Sequence, residues 1–211
     1  MTISRNISVM AQGASSSGIL AGGYGGLGAS ISPTTAGNVL FTADGSVWSS
    51  TQKIVQGTSV PTTSGTSIDF TSIPSWVKRI TFMLSGVSIS GTTSLQLRLG
   101  TSAGFVTSGY SSNIGVITAA STSAGSVATT TGLIIINSGG TADTTSAVLS
   151  LNNFTGNVWA YSGTGGRTGN VCAYYVSAIP LTLSGALTQV RLTTVNGTDT
   201  FDAGSVNILY E

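Results

Sequence analysis

Leu95-Gln96-Leu97-Arg98-Leu99 alternates apolar and polar residues without a break, and this two-residue period constrains the chain more than any other feature. It sets three leucines on one face of an extended strand and Gln96 and Arg98 on the other, so one face is expected in the core and one in water. Upstream, Ile80, Phe82 and Leu84 share a face, while Val77, Arg79, Thr81 and Met83 share the opposite one. Both faces are partly apolar there, as for a strand with core on one side and a neighbour on the other. Between the two, Ser88-Ile89-Ser90-Gly91-Thr92 is short and contains a glycine. It is expected to fold the strands back on each other as a hairpin at the centre of a β-sandwich.

Further extended segments follow at similar spacing. Residues 132–137 are a continuous apolar run, as for a strand buried on both faces. Residues 145–152 and 155–162 alternate around Asn152-Asn153-Phe154 and predict a hairpin, and 171–179, 187–195 and 204–210 complete the set. Asn196-Gly197-Thr198-Asp199 reads as a turn between the last two. About eight to ten strands with no helical periodicity predict an all-β fold, an antiparallel β-sandwich and within that class a jelly roll, carrying an extended N-terminal arm. The composition agrees. With 29 glycines, 6% charged residues and abundant Ser and Thr, the 211-residue chain favours strands and turns over helices. Its length holds one domain of ordinary size plus a tail or small module.

Residues 1–35 combine Gly/Ser-rich stretches with apolar punctuation at Ile3, Ile7, Ile19, Leu20, Tyr24 and Leu27. Such a segment cannot bury enough apolar surface to fold alone, so it is either a flexible tail or an anchor that docks on a partner. Residues 36–54 place two apolar runs around Asp44-Gly45, a dipeptide suited to a tight hairpin turn, and predict a small β-ribbon with Trp48 as its large side chain. Here the chain resembles a known group. Gly37-Asn38-Val39-Leu40, then Asp44-Gly45, then Trp48, is similar to the linker that precedes a terminal β-domain in bacteriophage tail-fibre and other virion structural proteins. Thr66-Ser67-Ile68-Asp69-Phe70, Ile73-Pro74-Ser75-Trp76-Val77-Lys78-Arg79-Ile80-Thr81, the 95–104 stretch and Thr107-Ser108-Gly109-Tyr110 resemble the module that follows it. The resemblance implies a jelly-roll domain over 55–211, an arm at 1–35 that anchors to the virion, homotrimeric assembly, and a structural or adhesive role without catalysis. A short tail fibre or baseplate-associated adhesin leads; a capsid decoration or cement protein is the alternative.

Residues 111–131 and 163–170 read as long Ser/Thr/Ala/Gly loops. As adhesin surface they would offer hydroxyls and amides to a host glycan, with Tyr110, Trp159 and Tyr161 as stacking platforms and Arg167 as a charged donor. The competing reading is of solvated spacers with the aromatics turned inward. Catalysis is not expected. The chain has no His and one Cys, which removes the commonest general base and any cysteine metal cluster. Of Asp44, Asp69, Asp143, Asp199, Asp202 and Glu211, only a convergence such as Asp69 with Asp202 would supply paired carboxylates. Gly165-Gly166-Arg167-Thr168 lacks the lysine of a phosphate loop, and Cys172, in an apolar stretch, reads as a buried structural thiol. No cofactor or metal is implied. Seven basic residues scattered along the chain, with a net charge of +1, give no footprint for nucleic acid. No apolar run approaches the ~20 residues of a membrane span, and residues 6–18 are too interrupted for a signal peptide. The expected location is a virion, assembled from protein made in the host cytoplasm.

Overall fold

In the computed structural model, residues 38–42, 48–52, 54–118, 121–136, 141–169 and 172–211 are described. The chain divides into two compact units, Met1–Val55 and Gln56–Glu211. In the first, β1 (Asn38–Thr42) and β2 (Trp48–Gln52) form an antiparallel pair with Thr42 opposite Trp48. Their Asp44-Gly45 connection lies outside the described residues, as do the candidate anchor residues Ile3, Ile7, Ile19, Leu20, Tyr24 and Leu27.

The strands continue as β3 (Val55–Gln56), β4 (Val60–Pro61), β5 (Ser67–Phe70), β6 (Arg79–Ile89), β7 (Leu95–Thr101), β8 (Gly104–Phe105), β9 (Ser112–Thr118) and β10 (Ser121–Thr129). They end with β11 (Leu133–Ile136), β12 (Thr145–Thr155), β13 (Val158–Arg167), β14 (Cys172–Thr182), β15 (Gln189–Thr194) and β16 (Phe201–Tyr210). No helix occurs among the described residues. The larger sheet runs β10-β9-β14-β13-β12-β6-β16-β3, with β4 also on β16; the smaller runs β11-β7-β15-β5, with β8 on β7. The pairing of β1 with β2 and the pairings among β4 to β16 are antiparallel.

The pairs nest. β4 pairs with β16, β5 with β15, β6 with β12 and β7 with β11. The chain therefore runs out and returns as one long ribbon, and the contacts β6 to β16 and β7 to β15 wind that ribbon into two facing layers. Two segments interrupt it: β8 to β10 at its tip, and β13 to β14 on its return. β14 pairs with β9, so these separate segments meet and widen the larger sheet.

Alternation decides the core. Ile80, Phe82 and Leu84 of β6 and Leu149 and Leu151 of β12 are buried against Leu97 and Leu99 of β7 and Val190 and Leu192 of β15. Phe70 and Phe82 meet edge to face across the layers, with ring centroids 5.2 Å apart. Gly86 and Gly204 have positive φ at paired irregularities of β6 and β16, where a Cβ on Gly204 would stand 2.4 Å from the Gly86 carbonyl oxygen. Only glycine permits that approach.

Four expectations are corrected. β6 and β7 do not form a hairpin: they lie in opposite sheets, because residues 90–94 cross from one layer to the other. The polar face of β7 is only partly wet: Arg98 is half-buried, and Gln96 is fully buried, donating to the Thr194 carbonyl and accepting from the Thr131 hydroxyl. Residues 111–131 are largely β9 and β10, and 163–167 continue β13. The β12–β13 turn falls at Gly156, which has φ 51°, rather than at Asn152-Asn153-Phe154.

Candidate functional site

The four expected contact residues do not make a surface. The Tyr110 ring is buried; its hydroxyl donates to the Val106 carbonyl at 3.1 Å and accepts from the Leu99 amide at 2.9 Å. Burial pushes this phenol up to about 12. Tyr161 is buried on the core face of β13 and donates to the Ile134 carbonyl at 2.9 Å, linking the two sheets. Burial pushes its phenol well above the ordinary value. Trp159, two residues earlier on the same face, is also buried and lines a cleft of about 180 Å³ with Pro74, Lys78, Asn153 and Leu187. Arg167 ends the same inward row, and its guanidinium lies 3.3 Å from Asp143, the two side chains being 9% and 14% exposed. The strand period that makes β13 a core strand turns all of its candidates inward, so none is placed as a platform for a glycan.

The acids are also engaged in structure. Asp69 forms a bidentate pair with Arg191 at 2.7 Å, and the Arg191 guanidinium lies 4.1 Å from the Phe105 ring centroid. Asp202 accepts from Ser88, Asp199 from Asn196 and the Thr93 amide, and Glu211 pairs with Arg79. Asp69 and Asp202 sit in different sheets, on β5 and β16. Among the described residues, no three His, Cys, Asp or Glu side chains gather as metal ligands. Cys172 opens β14, and its side chain lies outside the described residues.

What the fold does assemble is the outer face of the larger sheet. Cross-strand pairing aligns Thr81, Ser150, Ser162, Ser177 and Asn113 in one row over five strands. The adjacent row is Met83, Val148, Thr164, Tyr175 and Gly115, and the next is Ser146, Gly166, Ala173 and Ile117. Neighbours within a row stand ~4.8 Å apart and successive rows ~7 Å apart. No residue in the three rows is charged. Val148, Tyr175 and Ile117 are exposed, and a shallow groove of about 420 Å³ runs between Val148 and Tyr175 over Ser150, Ser162 and Thr164.

No protein family, curated protein or solved structure matches the chain. The geometry of this face therefore stands without a relative's site to compare. Tyr175 was not among the residues singled out in the sequence, although a signal was present. Two adjacent tyrosines in a strand must point to opposite faces, so with Tyr174 in the core, Tyr175 has to face outward.

Proposed function

We propose that this chain is a bacteriophage virion structural protein, a short trimeric tail fibre or baseplate-associated adhesin that contacts the host surface. One observation carries the reading: the larger sheet holds strands beyond those the wound ribbon needs, and their outer face is broad, uncharged and partly apolar. A surface of that kind suits contact with other molecules better than life as a dilute monomer. Within this reading the nested pairs describe a jelly roll, with β4, β16, β6 and β12 as one layer and β5, β15, β7 and β11 as the other. The arm at 1–35 docks on the virion, three copies close into a ring, and the role requires neither catalysis nor cofactor.

Capsid decoration is the second reading. It is favoured by the inward placement of Tyr110, Trp159 and Tyr161, which leaves the expected host-contact loops without aromatic platforms. Quantitative mass spectrometry of purified particles separates the two: a few trimers per particle supports the fibre, and tens to hundreds of copies supports decoration. Absence from purified particles would refute both. Light scattering on the full chain tests assembly, and a single-chain mass at micromolar concentration would refute the trimer.

A further inference from the structure

We infer that the outer face of the larger sheet binds a neutral carbohydrate, with the Tyr175 ring as the stacking platform. The inference rests on the adhesin reading and moves host contact from the expected loops to the sheet itself.

Tyr175 is 54% exposed, whereas its neighbour Tyr174 is 2% exposed. Its ring is laid down on the sheet. An ideal Cβ on Gly115, its cross-strand partner, would fall 2.3 Å from Tyr175 Cζ and 2.5 Å from its hydroxyl oxygen. The space a side chain would take at position 115 is filled by the ring, which covers β9 with one face and offers the other to solvent. Inside the sandwich the same device recurs: Tyr174 occupies the space above Gly165, with its hydroxyl oxygen 2.2 Å from that glycine's ideal Cβ. There the ring is sealed in the core. Tyr175 is the copy turned to water.

The surroundings select the ligand. A pyranose presents a face of C–H groups and a rim of hydroxyls. Its C–H face matches the negatively polarised face of an aromatic ring, and Val148 extends that apolar floor across Thr164. The rim would meet the hydroxyls of Thr81, Ser150 and Ser162 one row away. The groove, at about 420 Å³, lies within the range of small-ligand sites. A phosphate, carboxylate or nucleic acid would find no cation in this lining to offset its desolvation. A purely apolar partner would bury the Ser/Thr row without supplying hydrogen bonds. A neutral sugar satisfies both halves of the face. A single contact of this kind is weak, and several copies acting together raise the apparent affinity by roughly 10²–10⁴.

The test is an array of neutral and acidic bacterial surface polysaccharides probed with the full chain, followed by calorimetric titration of any polysaccharide that binds. Binding to a neutral polysaccharide is expected, weakened about tenfold in Tyr175→Ala and retained in Tyr175→Phe, the size of one stacking contact. Gly115→Ala keeps the ring but pushes it off the sheet, and is expected to weaken binding as well; this variant decides the matter if Tyr175→Ala does not fold. Unchanged binding by folded Tyr175→Ala, or by Gly115→Ala, would overturn the site while leaving the adhesin reading intact. Binding to acidic polysaccharides alone would overturn the neutral assignment. No binding to any polysaccharide would overturn the carbohydrate inference, and the particle copy number would still report the virion role independently.

Discussion

Replacing Tyr161 with Phe and with Ala separates a core role from a contact role. The ring is buried among the strands of the larger sheet, and its hydroxyl reaches the Ile134 carbonyl in the facing layer at 2.9 Å. Tyr161→Phe keeps the ring and removes that donor in a dry interior, at a cost of about 1–3 kcal/mol. Tyr161→Ala also removes the ring and leaves a cavity, for a loss of about 3–5 kcal/mol. With a urea dependence of about 2 kcal/mol per molar, the Phe variant should unfold at a midpoint lower by about 0.5–1.5 M, and the Ala variant by about 1.5–2.5 M. Equilibrium urea unfolding followed by tryptophan fluorescence measures both. A Phe variant with the wild-type midpoint would refute the inter-sheet hydrogen bond. An Ala variant of wild-type stability that no longer adsorbs to cells would refute the core placement and return Tyr161 to the contact surface.

Alkaline pH should loosen the fold through Tyr110. Its folded phenol is pushed up to about 12, above the ordinary value near 10, so the stabilisation is complete below pH ~10 and is lost as pH rises towards 12; Tyr110→Phe should flatten that part of a stability-versus-pH curve. Gly204→Ala combines a φ of +92° with a 2.4 Å approach to the Gly86 carbonyl oxygen, and should lower stability by about 2 kcal/mol or more in thermal melts. The Asp69–Arg191 pair is about one-third exposed, so Asp69→Asn should cost no more than about 1 kcal/mol and leave the melting temperature within a few degrees of wild type. A larger loss would mean that the contact of Arg191 with Phe105 depends on Asp69.

Much of the core was legible because strand period is a local property. Ile80, Phe82 and Leu84, and Leu95, Leu97 and Leu99, are buried together as their alternation requires. Partnership is not local. Nothing within residues 79–101 says that β6 pairs with β12 and β16 rather than with β7, since both arrangements bury the same side chains. Residues 111–131 and 163–167 read as loops because their side chains are small, yet backbone ladders are indifferent to side-chain size. On β13 the small size is a packing requirement: a Cβ at Gly163 would lie 2.7 Å from Leu149 Cδ2, and one at Gly165 would meet the Tyr174 hydroxyl. The glycines make room for side chains of the two flanking strands, β12 and β14. The candidate site was illegible for the same reason, since the Tyr175 platform depends on Gly115, sixty positions earlier in sequence.

The position of β16 bears on how the protein is made. This strand, 201–210, lies between β6 and the short strands β3 and β4, all synthesised before it. Until it emerges from the ribosome, β6 keeps an open edge and the buried Phe82 lacks its neighbour Ile208. Domain closure therefore waits for residues 201–210, and until they are made the nascent chain carries an unsatisfied strand edge. Pairings of such long sequence separation place folding in the slow, millisecond-to-second regime. A chain halted before residue 201 would be left with a slot in the middle of its sheet, open to the corresponding strand of another copy.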